Sequence, residues 1–193
     1  MNRILILLLL LGGCATGARN KPPLTVYDFG LPAARLPAGE NWPRLALDVK
    51  SPSWFDSLNI DYRLAYDDPL KQREYADSRW AGAPGVLLAQ RLRQQLGTVN
   101  DSGSTACLLR VELQEFSQIF ASPQQSHALV QGSVQLFDAK RRLLAERQLV
   151  IEKPAPGADA ASGVKALVAA SDDFGVELAT WLAGVDKGLK TCR

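Results

Sequence analysis

The sequence contains few residues whose types and spacing could support catalysis. It has a single histidine, His127, so a metal site would have to rely on carboxylates with at most one imidazole. The adjacent carboxylates Asp67-Asp68 and Asp172-Asp173 are predicted to lie in a turn and on a solvated helix face, and neither pair alone defines a general acid and base. The motifs of serine hydrolases, P-loop enzymes, CxxC redox proteins and zinc proteases do not occur. We therefore predict no catalytic site, no metal site and no cofactor.

Residues 1–14 have the pattern of a secretory leader that ends at a cysteine. Asn2 and Arg3 form a short basic start, and the apolar run of residues 4–11 is far shorter than the ~20 residues of a membrane-spanning helix. Leu11-Gly12-Gly13-Cys14 resembles the lipobox of bacterial lipoproteins, which are cleaved before the cysteine. The resemblance implies that Cys14 carries lipid, with acyl chains such as palmitate on its sulfur and its amine. A plain secretory leader with an incidental cysteine is the alternative.

The leader sets the expected location and organisation of the chain. Several acyl chains anchor a protein stably, whereas one chain binds a membrane only marginally. In lipoproteins of Gram-negative bacteria an aspartate after the cysteine favours the inner membrane, so Ala15 implies the outer membrane, with the domain facing the periplasm. We expect a signal peptide at residues 1–13, a lipidated tether at 14–24 and a single periplasmic domain at 25–193.

Composition is that of an ordinary globular protein. The chain is 47% hydrophobic and 22% charged with a formal net charge of +2, so it has no basic excess that would indicate nucleic acid as a partner. Besides Cys14 it contains Cys107 and Cys192, and an even pair in an oxidising periplasm predicts a disulfide between them. Two unrelated thiols are the alternative.

The periodicity of apolar residues predicts strands and two helices. Leu88, Leu92 and Leu96 recur every four residues in a helix that Pro84 opens and Gly97 caps. A longer helix is predicted from about residue 164 to 185. Alternation predicts strands at 27–30, 44–50, 60–66, 74–80, 107–120, 128–136 and 143–151.

The order of these elements predicts the fold class. Strands 44–50 and 60–66 are expected to pair as a hairpin-like meander, and the three strands after the first helix form a second meander. Strands, helix, strands and helix in this order predict an α+β fold, with a mostly antiparallel β-sheet and two α-helices packed on one face.

Two segments are candidates for binding a partner protein. Tyr75, Arg79 and Trp80 belong to a segment rich in aromatic and charged residues, and these residue types dominate protein interfaces. The alternative for this segment is a strand with a buried Trp80 and a solvated, salt-bridged face. The second segment, residues 121–126, is either a hairpin tip or a contact loop.

Several segments resemble the ABC-type transport auxiliary lipoprotein family in their order and spacing. The resemblance implies a non-catalytic lipoprotein that acts with a mammalian cell entry (MCE) domain protein, a permease and an ATPase to move lipids or other hydrophobic molecules between the inner and outer membranes. The only site that it carries over is the lipidated Cys14. The segments are Leu11-Gly12-Gly13-Cys14, Tyr27-Asp28-Phe29-Gly30, Ile60 to Tyr66, Tyr75 to Trp80 before a proline-led helix, Cys107 to Phe116, and Trp181.

The resemblance also implies partners, and it leaves other functions open. We expect an MCE-domain protein to be the partner, docked through residues 75–80 or through an exposed edge of the meander, and self-association is left open. One alternative is a periplasmic lipid-binding module with a cavity between Leu88 and the Phe174–Trp181 face. The other is an envelope-assembly lipoprotein that works on outer-membrane proteins or lipopolysaccharide.

Overall fold

The described residues form seven strands and two α-helices. A computed structural model describes residues 23–31, 35–37, 45–98 and 107–185, so Cys14 and Cys192 lie outside the described residues. A turn of 3-10 helix at Ser53–Phe55 interrupts the chain between the second and third strands. The elements are β1 (Thr25–Tyr27), β2 (Leu45–Lys50), β3 (Asn59–Leu64), β4 (Asp68–Trp80), α1 (Pro84–Leu96), β5 (Cys107–Ser122), β6 (Gln125–Phe137), β7 (Leu143–Pro154) and α2 (Ala160–Gly184).

Most of the sheet is attached to β5. On one edge of β5, β6 runs antiparallel, and β7 runs antiparallel to β6. The other edge is shared, because β2 lies parallel to residues 107–112 and β3 lies parallel to residues 118–120. β4 is antiparallel to β3, and β1 is parallel to the last residues of β4. The described sheet is therefore mixed, with three parallel and three antiparallel pairings.

The prediction of a mostly antiparallel sheet is wrong. The expected meander of strands 44–50 and 60–66 does not form, since β2 and β3 do not pair with each other in the described sheet and lie instead along β5. Apolar alternation determines which face of a strand is buried, but it does not determine the neighbouring strand or its direction. The connection from β2 to β5 contains β3, β4 and α1, and parallel strands require such a long connection. The α+β class itself is confirmed.

One face of the sheet packs against the helices. The alternating apolar residues of β5 and β6 point to this face, and both helices supply fully buried side chains to it. The predicted stripe of leucines on α1 is part of this core. The fully buried residues include Leu88, Leu92, Leu96, Leu109, Val111, Val130, Val134, Phe174 and Leu178.

A polar contact that the sequence analysis did not anticipate joins α1 and α2. Arg91 Nε and Nη2 donate to the two carboxylate oxygens of Asp172 at 2.5 and 2.8 Å, and Gln95 Nε2 donates to Asp172 Oδ1 at 3.0 Å. The Arg91 side chain is 4% exposed, and its Nη1 donates to the Leu31 carbonyl at 2.9 Å. Asp172 is thus the counter-ion of a buried arginine, whereas Asp173 forms a surface ion pair with Lys153.

Gly175 leaves room for the buried amide of Gln95 at this contact. A Cβ atom at this position would lie 2.0 Å from Gln95 Oε1, so the Gln95 amide would have to move from its place beside Asp172. The glycine therefore suits this position of Gln95, although it costs about 1 kcal/mol of helix propensity relative to alanine.

We predict that Asp172→Ala lowers the free energy of unfolding by about 3 kcal/mol, because it leaves the buried Arg91 charge without its carboxylate. Asp173→Ala is the matched control, and it should cost less than about 1 kcal/mol because its ion pair is exposed. Urea unfolding followed by circular dichroism measures both values. Equal losses in the two variants would contradict the assignment of Asp172 as the residue that joins the helices.

Candidate functional site

The predicted partner segment on β4 is divided between the core and the surface. Trp80 is 1% exposed, and its ring packs edge-to-face against Phe29 and Phe116 at 5.6 and 5.8 Å. Arg79, the preceding residue, is exposed. Trp80 is therefore a core residue, as the alternative interpretation of this segment expected. Arg79 is accessible to a partner.

Tyr75 belongs to a chain of hydrogen bonds inside the domain. Its hydroxyl donates to Gln118 Oε1 at 2.8 Å, Gln118 Nε2 donates to Ser126 Oγ at 2.7 Å, and Ser126 Oγ donates to the Gly157 carbonyl at 3.1 Å. Burial raises the pKa of the Tyr75 hydroxyl, and the nearby Tyr62 raises it further, so Tyr75 stays a donor. These bonds connect β4, β5, β6 and the segment before α2. Tyr75 therefore holds strands together, and only part of its surface faces solvent.

The second predicted segment, residues 121–126, is a tight hairpin tip. β5 continues to Ser122 and β6 begins at Gln125, so Pro123 and Gln124 alone form the turn. Ser126 is buried, and its hydroxyl is engaged in the hydrogen bonds described above. The segment has little free backbone with which to form a contact loop.

The candidate catalytic groups are engaged in local contacts. Asp67 pairs with Arg73 at 2.8 Å, and Asp68 Oδ1 accepts a hydrogen bond from the Leu70 amide at 3.0 Å. His127 is half-buried on the face of β6 opposite Ala128. In the described ranges no three histidine, cysteine, aspartate or glutamate side chains lie close enough to hold a metal ion. Likewise, neither described helix has the length and apolarity needed to cross a bilayer.

The surfaces that were proposed to line a lipid cavity are packed together. Leu88, Phe174 and Leu178 are each 0% exposed and belong to one continuous hydrophobic core. The side chains that would have had to enclose a ligand instead contact their neighbours across the helix–sheet interface. The predicted lining residues therefore form core in this structure.

The face of the sheet away from the helices, here called the open face, carries polar side chains in a cross-strand network. Gln131 and Gln148 both donate to Gln114 Oε1, at 3.3 and 2.6 Å. Ser133 and Gln135 both donate to Glu146 Oε1, at 3.2 and 3.1 Å. This face is most open to water along β7, where Glu146, Gln148 and Val150 are exposed, as expected where an antiparallel region has one solvated side.

β7 is the free edge of the described sheet on this side. It is 12 residues long and pairs only with β6 in the described sheet. An edge strand presents unpaired N–H and C=O groups that can pair with another strand. Three aliphatic side chains along it are exposed: Leu143 at 51%, Leu144 at 37% and Val150 at 52%.

The helix side of β7 carries a charge. Leu149 points into the core, so alternation places Arg147 on the helix side and Val150 on the open face. Arg147 Nη2 lies 3.7 Å from Glu177 Oε2 of α2. A charge on the inner side of an edge strand restrains indiscriminate pairing.

Asp61 on β3 is a nearly buried carboxyl on the open face. Its neighbours Ile60 and Tyr62 face the core side, and Asp61 lies directly opposite Glu74 of β4. Burial raises the pKa of Asp61 to about 6, and the negative charges of Glu74 and Glu115 raise it as well, although a hydrogen bond from Gln72 opposes them. The charge of this part of the open face therefore changes in mildly acidic conditions.

Residues 27–179 match the family model of the ABC-type transport auxiliary lipoprotein component. The chain belongs to this family. The match begins in β1 and ends in α2, so it covers nearly all of the described domain of this auxiliary lipoprotein. The family resemblance that was carried by the sequence segments is confirmed.

Solved structures share the fold of the auxiliary lipoprotein. A crystal structure of a protein from Xanthomonas campestris is 19% identical, covers 84% of this chain and 97% of its own, and superposes with a TM-score of 0.69. An uncharacterized protein is 15% identical, covers 83% of this chain and 99% of its own, and has a TM-score of 0.66. No curated protein matches the chain. At these identities the structural likeness establishes the fold alone.

On the open face, the sequence analysis missed the exposed Val150 and the nearly buried Asp61, and only Val150 had a signal in the sequence. Leu149-Val150-Ile151 interrupts the apolar alternation of β7, so one of these residues had to face away from the core. Asp61 had no such signal, because its pKa depends on Glu74 and Glu115 in neighbouring strands whose positions cannot be read from alternation.

We predict a pH-dependent stability that originates at Asp61. Its folded-state pKa lies above the unfolded value, so stability should fall as the pH rises from about 4 to about 6. Asp61→Asn should remove this dependence and raise the free energy of unfolding at pH 7 by about 1–2 kcal/mol. Urea unfolding at pH 4.5 and pH 7 measures the free energy of unfolding of both proteins. Glu152→Gln is the control, because Glu152 is exposed. An Asp61→Asn effect that is the same at both pH values would rule out this origin.

Proposed function

We propose that this auxiliary lipoprotein is a non-catalytic docking component of an ABC transport system that moves lipids or other hydrophobic molecules between the inner and outer membranes. Its partner is an MCE-domain protein. Membership of the family supports a role beside an ABC transporter. The anchor is the lipidated Cys14, left by cleavage of residues 1–13, and residues 14–24 tether the domain to the outer membrane.

The observation that carries a docking role is the free β7 edge beside the open face. An extended segment of a partner can add to such an edge through main-chain hydrogen bonds, while side chains at alternate positions supply specificity. Val150 and Leu144 are exposed on this edge and offer apolar contacts to an added strand. The packed core favours a function at the surface, because the side chains that could have lined a cargo cavity contact one another.

The anchor makes a modest docking affinity sufficient. A domain tethered to a membrane by a short chain is confined near that membrane, so its effective concentration toward a tunnel that reaches the same membrane is high. A transport tunnel that ends at the outer membrane would therefore meet the β7 edge repeatedly.

We expect crosslinking and pull-down of the tagged lipoprotein from intact envelopes to recover an MCE-domain protein. Val150→Lys should reduce that recovery about tenfold, since the lysine places a charge in the apolar part of the interface. Mass spectrometry of the captured proteins gives both the identity and the amount.

Val176→Lys on α2 is the matched control, because Val176 is 45% exposed and lies on the other side of the domain from the open face. It should leave recovery unchanged. Equal recovery in the two variants would remove the β7 edge as the contact. Recovery of an outer-membrane assembly machine without an MCE-domain protein would overturn the transport role.

We also expect the mature protein to show two covalent features by intact mass. The measured mass should equal that of a chain that starts at Cys14 plus its acyl chains. Cys14→Ala should abolish both the acyl mass and membrane association.

Reduction should add two daltons for a Cys107–Cys192 disulfide, which would tie the buried start of β5 to residue 192. No mass change on reduction would refute the disulfide.

A further inference from the structure

The direction of β1 determines which end of the sheet its first residue faces. β1 is parallel to β4 and pairs with Ser78–Trp80. Pro23 and Leu24, the described residues before Thr25, therefore lead toward the beginning of β4, which follows the turn of the β3–β4 hairpin. Leu24 is 47% exposed and continues the chain in this direction.

Two hairpin turns meet at this end of the sheet, here called the hairpin end. β3 is parallel to the last part of β5, so the β3–β4 turn lies beside the β5–β6 turn at Pro123-Gln124. The Ala65 amide donates to the Phe120 carbonyl at 2.9 Å and joins the two turns. The hairpin end is thus held together by backbone bonds.

Apolar side chains project from the hairpin end without protein contacts to cover them. Leu70 is 89% exposed, and Tyr66 is 48% exposed. The adjacent acids are used locally, because Asp67 pairs with Arg73 and Asp68 caps the Leu70 amide. A tyrosine together with an aliphatic residue at the tip of a protruding element is typical of contact with the interfacial region of a membrane.

The tether is long enough to reach a membrane at this end. Eleven residue steps separate Cys14 from Thr25, and a chain of that length reaches at most roughly 36 Å. Thr25 lies opposite Ser78, and β4 from Ser78 back to Leu70 covers at most roughly 26 Å, since register shifts shorten it. A membrane that holds Cys14 can therefore lie at the level of Leu70.

We propose that the hairpin end rests on the phospholipid surface that holds the acyl chains of Cys14, with Leu70 and Tyr66 inserted into its interfacial region. The inference depends on the lipidation of Cys14 that is part of the proposed function. It orients the sheet with the start of β5 and the β6–β7 turn directed away from this membrane, into the periplasm.

The opposite end supplies a matched reference position. Leu143 follows the β6–β7 turn, is 51% exposed, and lies on β7 opposite Phe137, at the end of the sheet away from the hairpin end. Both Leu70 and Leu143 are exposed leucines next to a turn. Leu70→Trp and Leu143→Trp therefore compare the two ends of the sheet with the same substitution.

The test uses the mature, acylated lipoprotein reconstituted into vesicles of phosphatidylethanolamine and phosphatidylglycerol, with and without acyl chains brominated close to the headgroup. Fluorescence of each variant minus that of the wild type isolates the added tryptophan. We expect the tryptophan of Leu70→Trp to be quenched by brominated lipid and blue-shifted, and that of Leu143→Trp to be neither. Circular dichroism verifies that both variants are folded.

Flotation with the vesicles separates failure of the anchor from failure of the contact. A mature protein that does not float would overturn the anchor and this contact together. A floating protein with equal quenching at the two positions, or with stronger quenching at Leu143→Trp, would overturn the contact alone.

Discussion

The architecture depends on β5 having both of its edges occupied along most of its length. β6 covers one edge, and β2 and β3 divide the other, so residues 51–58 must leave the sheet between them. This excursion places Phe55 in the core and Trp54, its neighbour, at the surface with 66% exposure. β5 is buried on both faces near its middle, where Phe116, Ser117 and Gln118 are all buried. A central strand of this kind sets the register of every strand around it.

Local contacts explain which parts of this fold could be predicted. The first helix was recognisable because Pro84, the leucine stripe and Gly97 act within the helix itself, and Gly97 does adopt the left-handed cap with a φ of 64°. The β5–β6–β7 meander was recognisable for the same reason, since two short turns join strands that pair in sequence order. The sequence correctly predicted β2 as a strand. The predicted pairing of β2 with β3 is wrong, because its partner is β5, which follows α1 in the chain.

The polar side chains that organise the domain could not be predicted, because their partners are distant in sequence. In the sequence, Arg91 resembles the other polar residues of α1 that are expected to be solvated. In the structure, the packing of α2 places Asp172 beside it and buries it. Tyr75 and Trp80 are of the residue types that favour interfaces, yet Gln118 and Phe116 of β5 account for them inside the domain. Residue type alone does not separate an interface anchor from a core residue. The separation requires the strand pairing.

The β7 edge and the hairpin end are arranged along the same axis of the sheet. The hairpin end lies where β4 begins and β5 ends, and β7 runs from the opposite end of the sheet back toward it. In the proposed orientation, an added strand on β7 would therefore lie along the axis from the membrane to the periplasm. Arg147 and Glu177 place charge on the helix side of that edge, so the apolar residues available to a partner are those of the open face and the strand ends. A free edge in water can pair with other chains and aggregate, and confinement at a membrane in the proposed orientation would limit the strands that can reach it.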